Sequence, residues 1–314
     1  NCYNESQWSP FYGGTSQITS FTFGDSVESI PRDLCERMEN LTSVTIGKSV
    51  TNIGYSAFHG CSSLTSVVWN VVEIKDFKHD QEPFSSSPIT VFTFGDDVKS
   101  IPAYLCFEME SLQSIVIPDN VDSVKSYAFN GCSSLTSIEI PNSVTEIGNR
   151  AFWNCESLQS IVIPDSVTSI GDEAFDGCTS LQTIVIPNSV TSIGNGAFWG
   201  CESLQSIVIP DSVTKIGGWA FSWCKSLQSI VIPDSVTKIG KWAFNYCSSL
   251  QSIVIPKGKK EYFERILYKD YHKFIKEIDY KKIYNSFGMC YEFGIEHKRN
   301  MEKAKEYYAK AKQL

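Results

Sequence analysis

Eleven cysteines, four histidines and 35 acidic residues are the side chains from which a nucleophile, a metal site or an acid–base pair would have to be built. Their spacing argues against all three. Cys132, Cys155, Cys178, Cys201, Cys224 and Cys247 recur every 23 residues, which makes a column rather than a cluster. No C-x2-C or H-x3-H spacing groups ligands for a metal. His59, His79, His272 and His297 fall outside any nucleophile or zinc-protease motif, and no G-x-S-x-G is present. Asp119, Asp165, Asp211 and Asp234 each follow a proline, where aspartate suits a turn. His79-Asp80-Gln81-Glu82 reads as a solvated loop. The glycines of the repeat are single and far apart, so no phosphate cradle forms. The chain reads as a non-enzyme with no catalytic, cofactor-binding or metal-binding residue and no cofactor.

The column of cysteines belongs to a larger period. Pro118, Pro141, Pro164, Pro187, Pro210, Pro233 and Pro256 recur every 23 residues, and the series extends backward through Gly95, Asn70, Gly47 and Gly24. All intervals are 23 residues except one of 25, between Asn70 and Gly95. A fixed period of this size specifies a repeat solenoid, in which one small unit buries its apolar face against copies of itself. Before each proline, alternation such as Ile161 and Ile163 is the signature of a half-buried strand, and the proline ends it because it donates no ladder hydrogen bond. Val167, Ile170, Gly171, Ala174, Phe175 and Cys178 complete one coil with a second extended piece and a turn. The Leu, Ile, Val, Phe and Cys columns are core. The cysteines are expected as buried free thiols, since equivalent side chains in stacked coils run parallel rather than toward each other. About ten coils at strand spacing give a length on the order of 50 Å.

Charge divides the chain. Residues 1–256 carry 12 Lys+Arg against 26 Asp+Glu, and residues 257–314 carry 15 against 9. An acidic array disfavours nucleic acid, whose phosphates need clustered basic groups. No apolar run is long enough to span a membrane, and Asn1-Cys2-Tyr3 does not open as an export signal does.

The phrase from Ser189 to Pro210, with Ile193-Gly194, Ala197-Phe198, Cys201, Leu204 and Ile207-Val208-Ile209, resembles the BspA-type leucine-rich repeat family. The resemblance covers residues 15–256. It implies a leucine-rich repeat array of stacked short parallel strands, a cell-surface or secreted location, and adhesion or protein binding. Early coils depart from the pattern: Pro31 and Pro102 replace the turn glycine, Met38 and Met109 replace the ladder cysteine, and residues 71–94 are irregular. The expected organisation is therefore a solenoid over 1–256, a helical C-terminal cap over 257–283, and a helix pair over 284–314.

The cap is read from Leu267, Tyr271, Phe274 and Ile275, which lie at helical spacings of 3 and 4. The last stretch resembles a single Sel1-like repeat through Phe287-Gly288, Tyr291, Gly294, Lys303-Ala304, Tyr307-Tyr308 and Ala311, with Asn300 where that family usually has Asp. The resemblance implies an adaptor for other proteins. Such a pair either docks on the array or begins a longer helical array.

Two sets of residues could make contacts. Val162, Val185, Val208, Val231 and Val254 form an outward column between buried positions, interrupted upstream by Glu139. It reads either as partner contact, as a passive sheet face, or as a surface for self-association. Trp153 and Trp199 follow the core Phe, Trp219 and Trp242 precede the core Ala, and Trp223 and Tyr246 share the slot before the Cys. Other coils hold Asn, Gly or Glu there, so no core rule demands a ring, and tryptophan dominates binding hot spots. Lys215, Lys225, Lys238 and Lys241 lie nearby in an otherwise acidic array. The favoured reading is a binding or adhesion module with a protein or glycoprotein partner. The alternative is an intracellular scaffold that works mainly through the Sel1-like helices.

Overall fold

A computed structural model describes residues 17–278, apart from residues 85 and 268. The Sel1-like stretch at 284–314 lies outside the described residues. Each coil enters as a short strand that ends at the proline slot. Ser20–Phe23, Ser43–Ile46, Ser66–Trp69 and Val91–Phe94 form one parallel sheet, and the strands from Ser114–Val116 to Ser252–Pro256 belong to an eight-stranded one. The register advances by one repeat, so that Ser160 faces Thr183, Ile161 faces Ile184 and Val162 faces Val185. After the proline a tight turn forms, with the Val167 N–H donating to the Pro164 carbonyl at 3.1 Å. A second, two-residue strand follows, and these stack from Ser100–Ile101 to Lys238–Ile239 in a seven-stranded parallel sheet. The third side of the coil is a run of turns.

The chain is thus a parallel-strand solenoid of about 11 turns with very little helix. Side chains from the three sides meet in one continuous core. Phe129, Phe152, Phe175, Phe198, Phe221 and Phe244 stack along it, with neighbouring centroids 5.3–5.7 Å apart and planes within 9° of parallel. The turn glycine is required because coils touch there: a Cβ on Gly194 would lie 2.5 Å from the Gly171 backbone.

The nine cysteines among the described residues are buried and free. The column has a second function beyond filling space. Seven of the nine thiols donate to the carbonyl of the Phe slot one coil back, as Cys178 does to Phe152 at 3.2 Å. Cys35 and Cys106 occupy the Phe slot in the irregular coils, and their carbonyls accept from Cys61 and Cys132 in the same way. Burial pushes Cys132 and Cys247 up to about 12, so these groups are protonated and poor nucleophiles.

The two sheets on the strand side are interrupted between Val91–Phe94 and Ser114–Val116, directly after the coil in which the period lengthens to 25. The insertion is better packed than its irregular sequence suggests. Phe84 stacks on Phe58 at 5.2 Å, and Phe77 and Phe92 lie against Trp69. Glu82 is not the solvated residue expected of this loop. It is buried, because its Oε1 accepts the Asp80 N–H at 3.0 Å and lies 3.1 Å from His79 Nδ1.

At the C-terminal end the expected helical pattern is only partly helix. Lys260–Ile266 is an α-helix that buries Phe263, Lys269–Phe274 is a 3-10 turn, and Ile275–Ile278 is a strand. That strand pairs in parallel with Ile253–Pro256. An array ends in unpaired backbone groups as well as an apolar flank, and a helix covers only the second. Glu277 Oε1 closes the segment by accepting the Gly258 and Lys260 N–H groups at 2.8 and 3.0 Å.

Candidate interaction surface

On the third side of each coil, two residues four apart adopt left-handed backbone and flank the buried Ala-Phe pair. In successive coils the pair is Arg150 and Asn154, Glu173 and Gly177, Gly196 and Gly200, Trp219 and Trp223, then Trp242 and Tyr246. These turns aim backbone N–H groups at the next coil: Trp219, Phe221 and Trp223 donate to Lys241, Ala243 and Asn245 at 2.7–3.0 Å. Inter-coil hydrogen bonding therefore imposes the left-handed conformation whatever the side chain. Glycine adopts it freely, while an L-residue with a Cβ is strained by about 1–2 kcal/mol. Trp219, Trp223, Trp242 and Tyr246 have φ of 54–62°.

Those four rings are also exposed. Trp199, Trp219, Trp223, Trp242 and Tyr246 show 36–58% of their surface to solvent. Trp219 stacks on Trp242 at 5.1 Å and 24°, and Trp223 meets Tyr246 at 4.6 Å. Trp199 lies tilted against Trp223 at 6.4 Å. The structure thus gathers five of the six aromatic candidates into one strip over adjacent coils. Stacking sets this backbone in the other coils too, under Tyr127, Arg150 and Glu173 among others, so what the fold does not require is the large exposed ring rather than the left-handed turn.

Trp153, the sixth, is half-buried and works differently. Its indole N–H donates to Asp176, whose residue is buried with 8% exposure. Burial raises the Asp176 carboxyl from 3.8 to about 7, the Trp153 hydrogen bond opposing and Glu173 adding to the shift.

On the sheet face, Val162, Val185 and Val208 are 69–71% exposed, Val231 is 37% exposed, and Val254 is half-buried beside Lys276 of the terminal strand. Glu139 sits in register between Val116 and Val162. The open part of the stripe is therefore its first three members, and the terminal strand covers its far end.

The lysines divide. Lys225 Nζ lies 2.6 Å from Glu202 and 5.3 Å over the Trp223 ring. Lys215 and Lys238 are directly opposite in register and both exposed. Like charges so placed repel.

Two features escaped the sequence reading. The left-handed pair is one. The other is a second ladder through the same slot, in which Tyr104 stacks on Tyr127 at 4.5 Å and Arg150 caps it by donating to Tyr127 Oη at 2.9 Å and to Glu173 at 2.7 Å. Its signal was present, since these four residues are spaced by 23.

Among the described residues, no group of three His, Cys, Asp or Glu side chains is placed to hold a metal ion, and no helix is long and apolar enough to cross a membrane.

The family profile described as a BspA type leucine rich repeat region, six copies, matches residues 9–105, 99–227 and 169–291. None of the curated proteins matches. Among solved structures, a leucine-rich repeat protein from Bacteroides ovatus is 27% identical with a TM-score of 0.61, the match covering 81% of this chain and 76% of that one. A T. pallidum leucine-rich repeat protein is 30% identical with a TM-score of 0.51, over 60% and 86% of the two chains. The pneumococcal vaccine antigen PcpA shares the fold at 16% identity and a TM-score of 0.54, over 87% and 83%.

Proposed function

Because the chain belongs to the BspA-type leucine-rich repeat family, we propose that it is a non-enzymatic binding or adhesion module, acting at the cell surface or as a secreted protein. The observation that carries this reading is the exposed ring strip at Trp219, Trp223, Trp242 and Tyr246, built on backbone that glycine would serve at lower cost. The sheet face adds the exposed valines 162, 185 and 208, a contiguous apolar stripe of the kind that marks contact with a partner. The partner is a protein or glycoprotein. In this reading residues 1–256 form the binding solenoid, 257–283 close its end, and 284–314 are a separate Sel1-like unit.

The test is capture of partners from host and self lysates on the full chain, followed by affinity measurement with the identified protein. Val208→Glu combined with Trp219→Ala abolishes capture while far-UV circular dichroism stays unchanged. Undiminished affinity in that double variant rules the two surfaces out. Deleting residues 284–314 leaves capture intact; its loss would move the contact to those residues and favour a scaffold.

A further inference from the structure

In the second strands of the coils, lysine appears only where tryptophan fills the turn that follows. The first residue of that strand is Ser123, Glu146, Ser169 and Ser192 in successive coils, then Lys215 and Lys238. Those last two coils are the ones whose first left-handed positions hold Trp219 and Trp242. A third lysine, Lys241, directly precedes Trp242. Between Lys215 and Trp219 no side chain projects, because Ile216 is buried and Gly217 and Gly218 are buried and have none. The lysine column and the ring column therefore adjoin across glycine backbone.

These cations are uncompensated. Lys225 is held by Glu202 at 2.6 Å and Asp234 by Lys259 at 3.2 Å, whereas Lys215, Lys238 and Lys241 form no ion pair among the described residues. Lys215 and Lys238 are exposed and directly opposite in register, so two ammonium groups repel at a backbone spacing of about 4.8 Å. A carboxylate between them relieves that repulsion. The positive patch is also short. Asp165, Asp172, Glu173 and Asp176 belong to the coil two before that of Trp219, roughly 10 Å away and about one Debye length at physiological salt. A polyanion, which binds through many cations in a row, would run into those carboxylates. The stacked rings call for apolar groups, which a polyanion does not supply.

We infer that the last two coils dock a short acidic segment of a protein partner. One carboxylate lies between Lys215 and Lys238, and a neighbouring aromatic or aliphatic side chain packs on Trp219 and Trp242. The inference rests on the ring strip being a contact surface and adds what occupies it.

A randomised peptide library displayed on phage is selected on the full chain, and enriched peptides are titrated by calorimetry. They carry Asp or Glu within a few positions of an aromatic or large aliphatic residue, and their affinity falls roughly threefold or more as NaCl rises from about 0.05 to about 0.5 M. Lys215→Ser with Lys238→Ser installs the residue that this slot holds at 169 and 192, so the fold is retained, and binding weakens roughly fivefold or more. Trp219→Gly with Trp242→Gly installs the residue that the ring slot holds at 196, and binding weakens roughly tenfold or more. Replacing the peptide carboxylates by amides matches the loss in the lysine variant and adds nothing to it there. Enrichment of basic or uncharged peptides, no enrichment, or unchanged affinity in the lysine variant overturns the inference. So does retention of a sulfated oligosaccharide or a DNA oligonucleotide with no peptide retained. A partner captured from lysate that is lost with the tryptophan pair but not with the lysine pair leaves the ring strip standing and removes its acidic occupant. If neither pair affects capture, both fall.

Discussion

Positions 162, 185, 208 and 231 on the sheet face all hold valine, whereas the first left-handed position of the same coils holds Glu173, Gly196, Trp219 and Trp242. Both columns repeat one backbone conformation, yet one is uniform and the other varies in charge, size and polarity. On the strand, a β-branched residue suits the extended backbone and its cross-strand neighbours, so valine is explained before any partner is invoked. In the left-handed turn the backbone favours glycine, so a larger side chain there needs a further reason, which Arg150 and Glu173 have in their bond to each other. The difference ranks the two proposed surfaces: valine has an architectural reason as well as the proposed contact, whereas the large rings at 219 and 242 have no reason in backbone propensity.

Four measurements break or sharpen that contrast. Phe198→Ala removes a fully buried ring stacked at 5.4 Å on both Phe175 and Phe221, and destabilises by about 3–5 kcal/mol in urea unfolding. Both surfaces are lost together, because one core carries them.

Asp176→Asn is next and depends on pH. A carboxyl whose folded pKa of about 7 lies above its unfolded value of 3.8 leaves stability fully present below the lower value, and stability is lost as pH rises toward the higher one. The asparagine removes that loss, so it stabilises by on the order of 1–2 kcal/mol at pH 8 and by almost nothing at pH 4, as thermal unfolding at the two pH values reports. An equal effect at both pH values would contradict the titration.

Gly200→Ala tests the backbone alone, since a Cβ there meets nothing closer than 3.8 Å while φ is +67°. The expected cost is about 1 kcal/mol. A neutral result would mean the turn side tolerates side chains freely, and the strain beneath Trp223 would lose its significance. Val185→Thr, smallest of all, shifts stability by less than about 0.5 kcal/mol, because the residue is exposed and remains β-branched.

Much of the molecule was legible in the chain, and for a single reason. A repeat writes each structural constraint many times, so Ile161, Ile184 and Ile207 or Phe175, Phe198 and Phe221 identify the core without help from propensity. The cap was harder, because Leu267, Tyr271, Phe274 and Ile275 satisfy a helical spacing that the unpaired edge of Ser252–Pro256 overrides. Glu82 was misjudged as solvated for a similar reason: a polar side chain in an irregular loop gives no sign of the Asp80 N–H and His79 ring that hold it. Of the surface, the aromatic positions were readable as slots, and their pairing as Trp219 on Trp242 and Trp223 on Tyr246 follows from the period. Their strain was not readable, since a left-handed slot filled by Arg, Glu, Trp and Gly in turn has no single residue signature.

The sequence alone determined the solenoid, its 23-residue period, the identity of the buried columns and the place where the repeat ends. It could do so because stacking identical units requires identical residues at each buried position. Only the tertiary structure decided that the turn side is left-handed, that Val254 is partly covered by a terminal strand, that Asp176 is buried against Trp153, and that Arg150 bridges Tyr127 and Glu173 between coils. Each of these depends on what one coil presents to the next, and contact between coils is a property of the stack rather than of any one repeat.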